Sequence, residues 1–259
     1  MRVAGELPRV YVSRRIPEPG LEMMRGRAAL GVWEGEGPPP AEVLREEAAR
    51  ADGLLVMLTE RVDSSLLESA PRLKVVSNYA VGYDNVDVEA ATRLGIVVTN
   101  TPGVLTEATA DMAFALILAA ARRLGEAERF LRAGGWKTWS PTLLLGRDVW
   151  GATLGIVGLG RIGQAVARRA AGFGMEVLYW SRSRKPGPEA ELGVRYEELD
   201  SLLARSDFVS LHVALTPETR HLIDARRLSL MKRTAGLVNT SRGAGVAESA
   251  LARALAGGT

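Results

Sequence analysis

The chain has 259 residues, 47% hydrophobic and 24% charged, which suits two modest domains with their own cores and is unlike a disordered or fibrous composition. With no cysteine it carries no disulfide framework, thiolate nucleophile or cysteine-based zinc site, and its net charge of +3 is dispersed among acidic residues without a basic block, which argues against a nucleic-acid partner. The opening stretch MRVAGELPRVYV has no apolar core, and the longest apolar run, Met112 to Ala121, is about half the ~20 residues that span a bilayer, so no export or membrane span is implied and the cytoplasm is the expected compartment.

Taken in chain order, the first hundred residues alternate short apolar runs with amphipathic stretches. Val10 to Val12, Gly53 to Met57, Leu73 to Val76 and Val97 to Thr99 read as strands; Ala41 to Ala51, Ser64 to Ser69 and Val88 to Leu94 read as helices, with Asp63 and Asp87 placed as N-caps. Such alternation predicts a parallel α/β domain. After Asn100–Gly103 the spacing predicts a long helix, Leu105 to Arg122, apolar on every face and therefore expected to be buried all round, inside one core or shared between domains or subunits. A second cycle of strands and helices starts at Thr153 and predicts a second doubly wound sheet: TLGIV, Gly160 to Phe173, EVLYW, Glu197 to Ala204, FVSLH, Ala225 to Leu230 and AGLVN. The expected domains are residues 1–100 and 101–259.

Gly158, Gly160 and Gly163 fall in G-x-G-x-x-G spacing between the TLGIV strand and the following helix. In that context the first glycine permits the turn, the second admits a pyrophosphate to the backbone and the third allows close helix–strand packing, while amides from Leu159 through Arg161 to Ile162 can bind phosphate oxygens. The next strand is not followed by the acidic residue that would hold a ribose 2′-hydroxyl. Ser181, Arg182, Ser183, Arg184 and Lys185 occupy that place, and Glu189 is the first acidic residue. Two guanidiniums and two hydroxyls suit a 2′-phosphate, so NADP is the expected cofactor, with NAD as the alternative and a plain solvated basic loop as the structural reading.

From LKVVSNYAVGYDNVD through GLGRIGQAVARRAAGFGM to LVNTSRG the chain resembles the D-isomer-specific 2-hydroxyacid dehydrogenases, and GGWKTWSP with SRSRK makes it most similar to their glyoxylate/hydroxypyruvate reductase branch. The resemblance implies a flavodoxin-like substrate domain followed by a Rossmann dinucleotide-binding domain, and hydride transfer from NAD(P)H to a small 2-keto acid. It also implies that the amides of Val81 and Gly82 bind the substrate carboxylate, that Arg242 grips the carboxylate and polarises the keto oxygen, and that Thr240 and Ser241 lie beside the nicotinamide. A guanidinium is chemically suited to that work, being permanently charged beside an oxygen that gains charge. Trp136 and Trp139 read as packing residues, whereas the resemblance implies that Trp139 reaches the neighbouring subunit's site in a homodimer. Neither His212 nor His221 matches the family's proton donor. That histidine and its glutamate follow the arginine corner in the family and have no counterpart in the 259 residues, so Thr259 is expected to be the edge of a piece and the chain as given to turn over poorly. A non-catalytic dinucleotide-binding relative and a phosphoglycerate- or lactate-type dehydrogenase are the alternatives.

Overall fold

The computed structural model describes residues 7–257, and the chain divides into two compact units, Met1–Val104 and Leu105–Thr259. The expectation about Thr259 lies outside the described residues. In the first unit the elements are β1 (Arg9–Val12), α1 (Glu18–Met24), β2 (Ala29–Val32), α2 (Ala41–Arg50), β3 (Gly53–Val56), α3 (Ser64–Glu68), β4 (Val75–Asn78), α4 (Val88–Arg93) and β5 (Val97–Thr99). All the strands pair in parallel, in the order β2-β1-β3-β4-β5. This is the flavodoxin-like order.

The second unit contains α5 (Thr106–Ala121), α6 (Leu124–Arg132), β6 (Thr153–Val157), α7 (Arg161–Ala171), β7 (Glu176–Trp180), α8 (Pro186–Leu192), β8 (Arg195–Tyr196), α9 (Leu199–Arg205), β9 (Phe208–Leu211), α10 (Ala225–Leu230), β10 (Gly236–Asn239) and, after a short 3-10 turn at Gly243–Gly245, α11 (Glu248–Gly257). Its parallel sheet runs β10-β9-β6-β7-β8, a Rossmann order. The central strands are buried on both faces, which is why they read as unbroken apolar runs: β9 is wholly buried, and Leu154, Ile156 and Val157 of β6 are fully enclosed. The expected fold class, two doubly wound parallel sheets, is the one observed.

Local chemistry explains most boundaries. Asp63 and Asp87 cap α3 and α4, accepting from the Leu66 and Ala90 amides at 3.1 and 2.9 Å. Three expectations need correction. The strand predicted at Leu73–Val76 lies two residues later, because the Leu73 amide closes a turn onto Ala70 and ladder pairing begins at Val75. Helices α1, α6 and α8 and strands β2 and β8 are absent from the expected elements: the prolines of α1 and α8 fall in their opening turns, where no amide is required, α6 has no buried residue, and β2 and β8 are short, part-exposed edge strands. The apolar α5 is not buried all round within this chain. Ala110, Ala113, Phe114, Ile117 and Ala121 form its inner face, while Met112 and Leu116 are 57% and 41% exposed. Among the described residues no helix is long and apolar enough to cross a membrane, and no cluster of His, Asp and Glu is built to hold a metal.

Candidate active site

The glycine loop takes the form its spacing predicts. Gly158 turns with φ +103°, and a Cβ there would lie 2.8 Å from the carbonyl carbon and oxygen of His212; a Cβ on Gly163 would lie 2.2 Å from the Gly158 carbonyl oxygen. Both positions meet backbone, so neither neighbour can turn aside. Gly160 differs: its missing side chain would face open space, with no atom within 4 Å. Gly160 is also the N-cap of α7, no side chain caps that helix, and the first-turn amides of Arg161 and Ile162 are left for a ligand. The Leu159 amide is already committed, donating to Ser181 Oγ at 2.9 Å and tying the glycine loop to the end of β7.

A cleft of about 320 Å³ opens over this loop, with Trp180, Ser181, Arg182, Ser183 and Lys185 along one wall and Val213, Ala214, Thr216 and Thr219 along another. The second wall was not anticipated. Thr219 braces it: buried, its hydroxyl donates to the Ala214 carbonyl and accepts from the Thr216 amide, each at 2.7 Å. Arg184 is not brought into the cleft with Arg182. Its guanidinium makes paired bonds to Glu189 on α8, at 2.8 Å from Nε and 2.9 Å from Nη2, and these hold the Glu189 carboxyl below the usual carboxylate range. Glu189 also accepts from the hydroxyl of buried Tyr179 at 2.5 Å, and that hydroxyl accepts from the Lys185 amide at 2.7 Å. Burial, with the bond to Glu189, raises the Tyr179 pKa.

At the carboxyl end of β10 an asparagine builds the arginine corner. Asn239 Oδ1 accepts from the Ser241 amide and hydroxyl at 3.0 and 2.8 Å, while its Nδ2 donates to the Arg242 carbonyl at 2.9 Å. Arg242 thus follows a turn closed by a side chain three residues earlier, a role the apolar strand pattern hides. Beside it the Thr240 hydroxyl is buried without a hydrogen-bond partner among the described residues. His212, just past β9, shares a 2.8 Å hydrogen bond between its Nε2 and Ser210 Oγ, and burial pushes its pKa down to about 4. It is neutral at pH 7. His221 is exposed, in a left-handed backbone conformation.

In the first unit, Val81 and Gly82 lie on the loop after β4. Their carbonyls are each held by an asparagine: Asn100 Nδ2 donates to Val81 O at 2.8 Å, and Asn78 Nδ2 to Gly82 O at 2.7 Å. In the second unit Trp136 and Trp139 are 50% and 73% exposed, so within this chain neither packs as a core residue.

Comparison with known proteins decides the family. A model of the D-isomer specific 2-hydroxyacid dehydrogenase NAD binding domain matches residues 114–259. The chain belongs to the D-isomer specific 2-hydroxyacid dehydrogenases. It is 56% identical over 252 residues to a glyoxylate reductase of Thermococcus kodakarensis, covering 96% of this chain and 76% of that one. Among solved structures, a protein of Thermus thermophilus superposes with a TM-score of 0.89 at 48% identity, covering 96% of this chain and 78% of that one. A D-lactate dehydrogenase of Aquifex aeolicus, solved with NAD and lactic acid, follows with a TM-score of 0.84 at 32% identity, covering 96% and 74%. This dehydrogenase is accordingly an oxidoreductase that uses a nicotinamide dinucleotide.

Proposed function

We propose that this dehydrogenase reduces glyoxylate, or a similarly small 2-keto acid, to the 2-hydroxy acid, with NADPH as the preferred donor. The observation that carries the reading is that one sheet presents both the glycine cradle after β6 and the Arg242 corner after β10 at its carboxyl edge. Identity of 56% to a glyoxylate reductase, against 32% to a lactate dehydrogenase, favours the smaller substrate. The residues present fit a dinucleotide. Gly160 leaves room for a pyrophosphate, Arg161 and Ile162 offer amides, Thr240 has an unused buried hydroxyl, and Ser181, Arg182, Ser183 and Lys185 form a basic wall suited to a 2′-phosphate. When bound, the dinucleotide supplies the hydride.

The protein's own contribution is binding and charge. In this reading the planar Arg242 guanidinium polarises the keto oxygen and stabilises the alkoxide that forms there. The Val81 and Gly82 amides hold the carboxylate, and Thr240 and Ser241 lie beside the nicotinamide. His212 is assigned no proton transfer, because it is neutral and its Nε2 is engaged by Ser210. Residues 1–100 act as the substrate domain and 101–259 as the cofactor domain. Met112, Leu116, Leu124, Leu131, Trp136 and Trp139, all exposed on the second unit, support a homodimer in which Trp139 contacts the neighbouring subunit's substrate. Function in the cytoplasm completes the reading.

The test is reduction of glyoxylate and pyruvate by the natural gene product, followed by nicotinamide absorbance with each donor. We expect kcat/KM to be higher for glyoxylate than for pyruvate and higher with NADPH than with NADH. Preference for pyruvate would move the enzyme to the lactate type, and absence of turnover with either acid would remove the proposed substrate class.

A further inference from the structure

We propose that Asn100 and Asn78 are positioning residues that aim three consecutive backbone amides, those of Val81, Gly82 and Tyr83, at the substrate carboxylate; this rests on the role assigned above to the Val81–Gly82 turn. The argument comes from peptide geometry. In a trans peptide the C=O and the following N–H point to opposite sides, and the described residues contain no cis bond. Anchoring a carbonyl therefore fixes the direction of the next residue's amide.

Three successive peptide planes are anchored in this way. The Ala80 carbonyl accepts from the Thr101 amide at 2.9 Å, which directs Val81 N–H. The Val81 carbonyl accepts from Asn100 Nδ2 at 2.8 Å, which directs Gly82 N–H, and the Gly82 carbonyl accepts from Asn78 Nδ2 at 2.7 Å, which directs Tyr83 N–H. Among the described residues none of these three amides donates to a protein acceptor. A run of unused amides is a site of partial positive charge suited to an anion with two oxygens.

The anchors are themselves rigid. Asn78 is the last residue of β4, fully buried, and exchanges 3.2 Å bonds with Asn85, whose Nδ2 also reaches the carbonyls of Met57 and Glu60 at 2.9 and 3.0 Å. Asn100 directly follows β5 and is only partly buried. Both anchoring groups are carboxamide nitrogens. A carboxylate in either place would face a carbonyl with no hydrogen to give and would add negative charge beside an anion site.

Asn100 is the better position to change, since substitution there opens no core cavity. Amides that hold the carboxylate equally in the ground and transition states govern KM and leave kcat alone, whereas an asparagine that merely closed a surface turn would move neither. For Asn100→Ala we expect the glyoxylate KM to rise about tenfold, the order of one lost hydrogen bond, with kcat and the NADPH dissociation constant within about twofold of the natural protein. Asn100→Asp should be worse by about another tenfold. Binding of oxamate, an unreactive 2-keto acid analogue, to the protein with NADPH should weaken in the same order by calorimetry. Unchanged glyoxylate and oxamate constants in both variants would overturn the positioning role, as would equal losses in NADPH affinity and kcat. If the natural protein binds oxamate but does not reduce glyoxylate, the proposed reaction fails while the oxamate series still decides the role of Asn100. If it binds no oxamate, the inference is overturned.

Discussion

The two units use the same design at the same place and furnish it oppositely. In the first, the connections diverge between β1 and β3; in the second, between β6 and β9. Ligands of open parallel sheets bind in such crevices, outside the carboxyl ends of the strands. Between β6 and β9 the crevice is lined by backbone: Gly158 lies against the His212 carbonyl, and the space over Gly160 is open beside the uncapped first turn of α7. Between β1 and β3 it is closed by a side chain. The Glu60 carboxyl is buried there, accepting from Ser13 Oγ at 2.5 Å, the Met57 amide at 2.6 Å and Thr59 Oγ1 at 2.6 Å, with Arg14 at 3.7 Å. A carboxylate that consumes the local donors leaves a phosphate neither hydrogen bonds nor a favourable charge. Architecture offers both crevices; the residues decide that only one suits a dinucleotide.

The largest expected effect comes from removing that plug. Glu60→Ala leaves the buried Ser13 hydroxyl and the half-buried Met57 amide without their acceptor and removes a carboxylate beside Arg14, and should destabilise the protein by about 3–5 kcal/mol, measured by urea unfolding. It should create no second dinucleotide site, because the first unit has no glycine cradle; a cofactor stoichiometry above one per chain would break the comparison. Next come the glycines of the other crevice. Gly163→Ala drives a methyl into the Gly158 carbonyl and should cost about 3 kcal/mol, lowering the melting temperature. Gly160→Ala meets no protein atom, so it should leave the melting temperature unchanged while weakening NADPH binding. Equal thermal losses in the two variants would mean that Gly160 serves packing and not the ligand.

Acid separates the units by a smaller margin. His212 is held near a pKa of 4 by burial, whereas an unfolded histidine titrates near 6.5, so below pH 6.5 the unfolded chain takes up a proton that the fold refuses. The stabilisation is complete above pH 6.5, declines as the pH falls, and is gone below about pH 4. It amounts to roughly 3 kcal/mol. The equivalent place in the first unit, after β3, is occupied by Met57, which does not titrate. Hydrogen exchange at pH 5 should therefore show β6 and β9 losing protection relative to pH 7 more than β1 and β3, and His212→Gln should abolish that difference.

What could be read from the residue string follows the range of the interactions. The Asp63 and Asp87 caps and the close packing of Gly163 on the Gly158 carbonyl rest on contacts between near neighbours, and local spacing encodes them, whereas the contact of Gly158 with His212 spans the sheet and is reached only through the glycine pattern. Glu60 meets Ser13 across 47 residues, and Asn100 meets Val81 across 19, so both look like ordinary loop residues until the strands are in place. Asn239 is closer to the corner it builds, but a polar residue ending an apolar strand reads as a boundary. The outer face of α5 shows the converse limit. Its composition is plain in the residue string, while the choice of which face turns inward is made by packing against α7 and β10, far along the chain.

The smallest and sharpest test concerns two arginines that the sequence offers as equals. Arg182 lines the cleft, whereas the Arg184 guanidinium is engaged by Glu189, which in turn accepts from Tyr179. A guanidinium already satisfied by a carboxylate has little to give a 2′-phosphate, so the two should separate on substitution. Arg182→Ala should weaken NADPH binding by about 1–2 kcal/mol, the scale of a charge-assisted hydrogen bond, and leave NADH within about twofold. Arg184→Ala should change NADPH affinity far less, and any loss should fall on both cofactors alike, because its bonds shape the loop without meeting the phosphate. Fluorescence titration of each variant with both dinucleotides measures this. Equal and NADPH-specific losses for the two arginines would show that Arg184 leaves Glu189 when the cofactor binds, and the basic wall would then be built from both guanidiniums, as the spacing alone suggests.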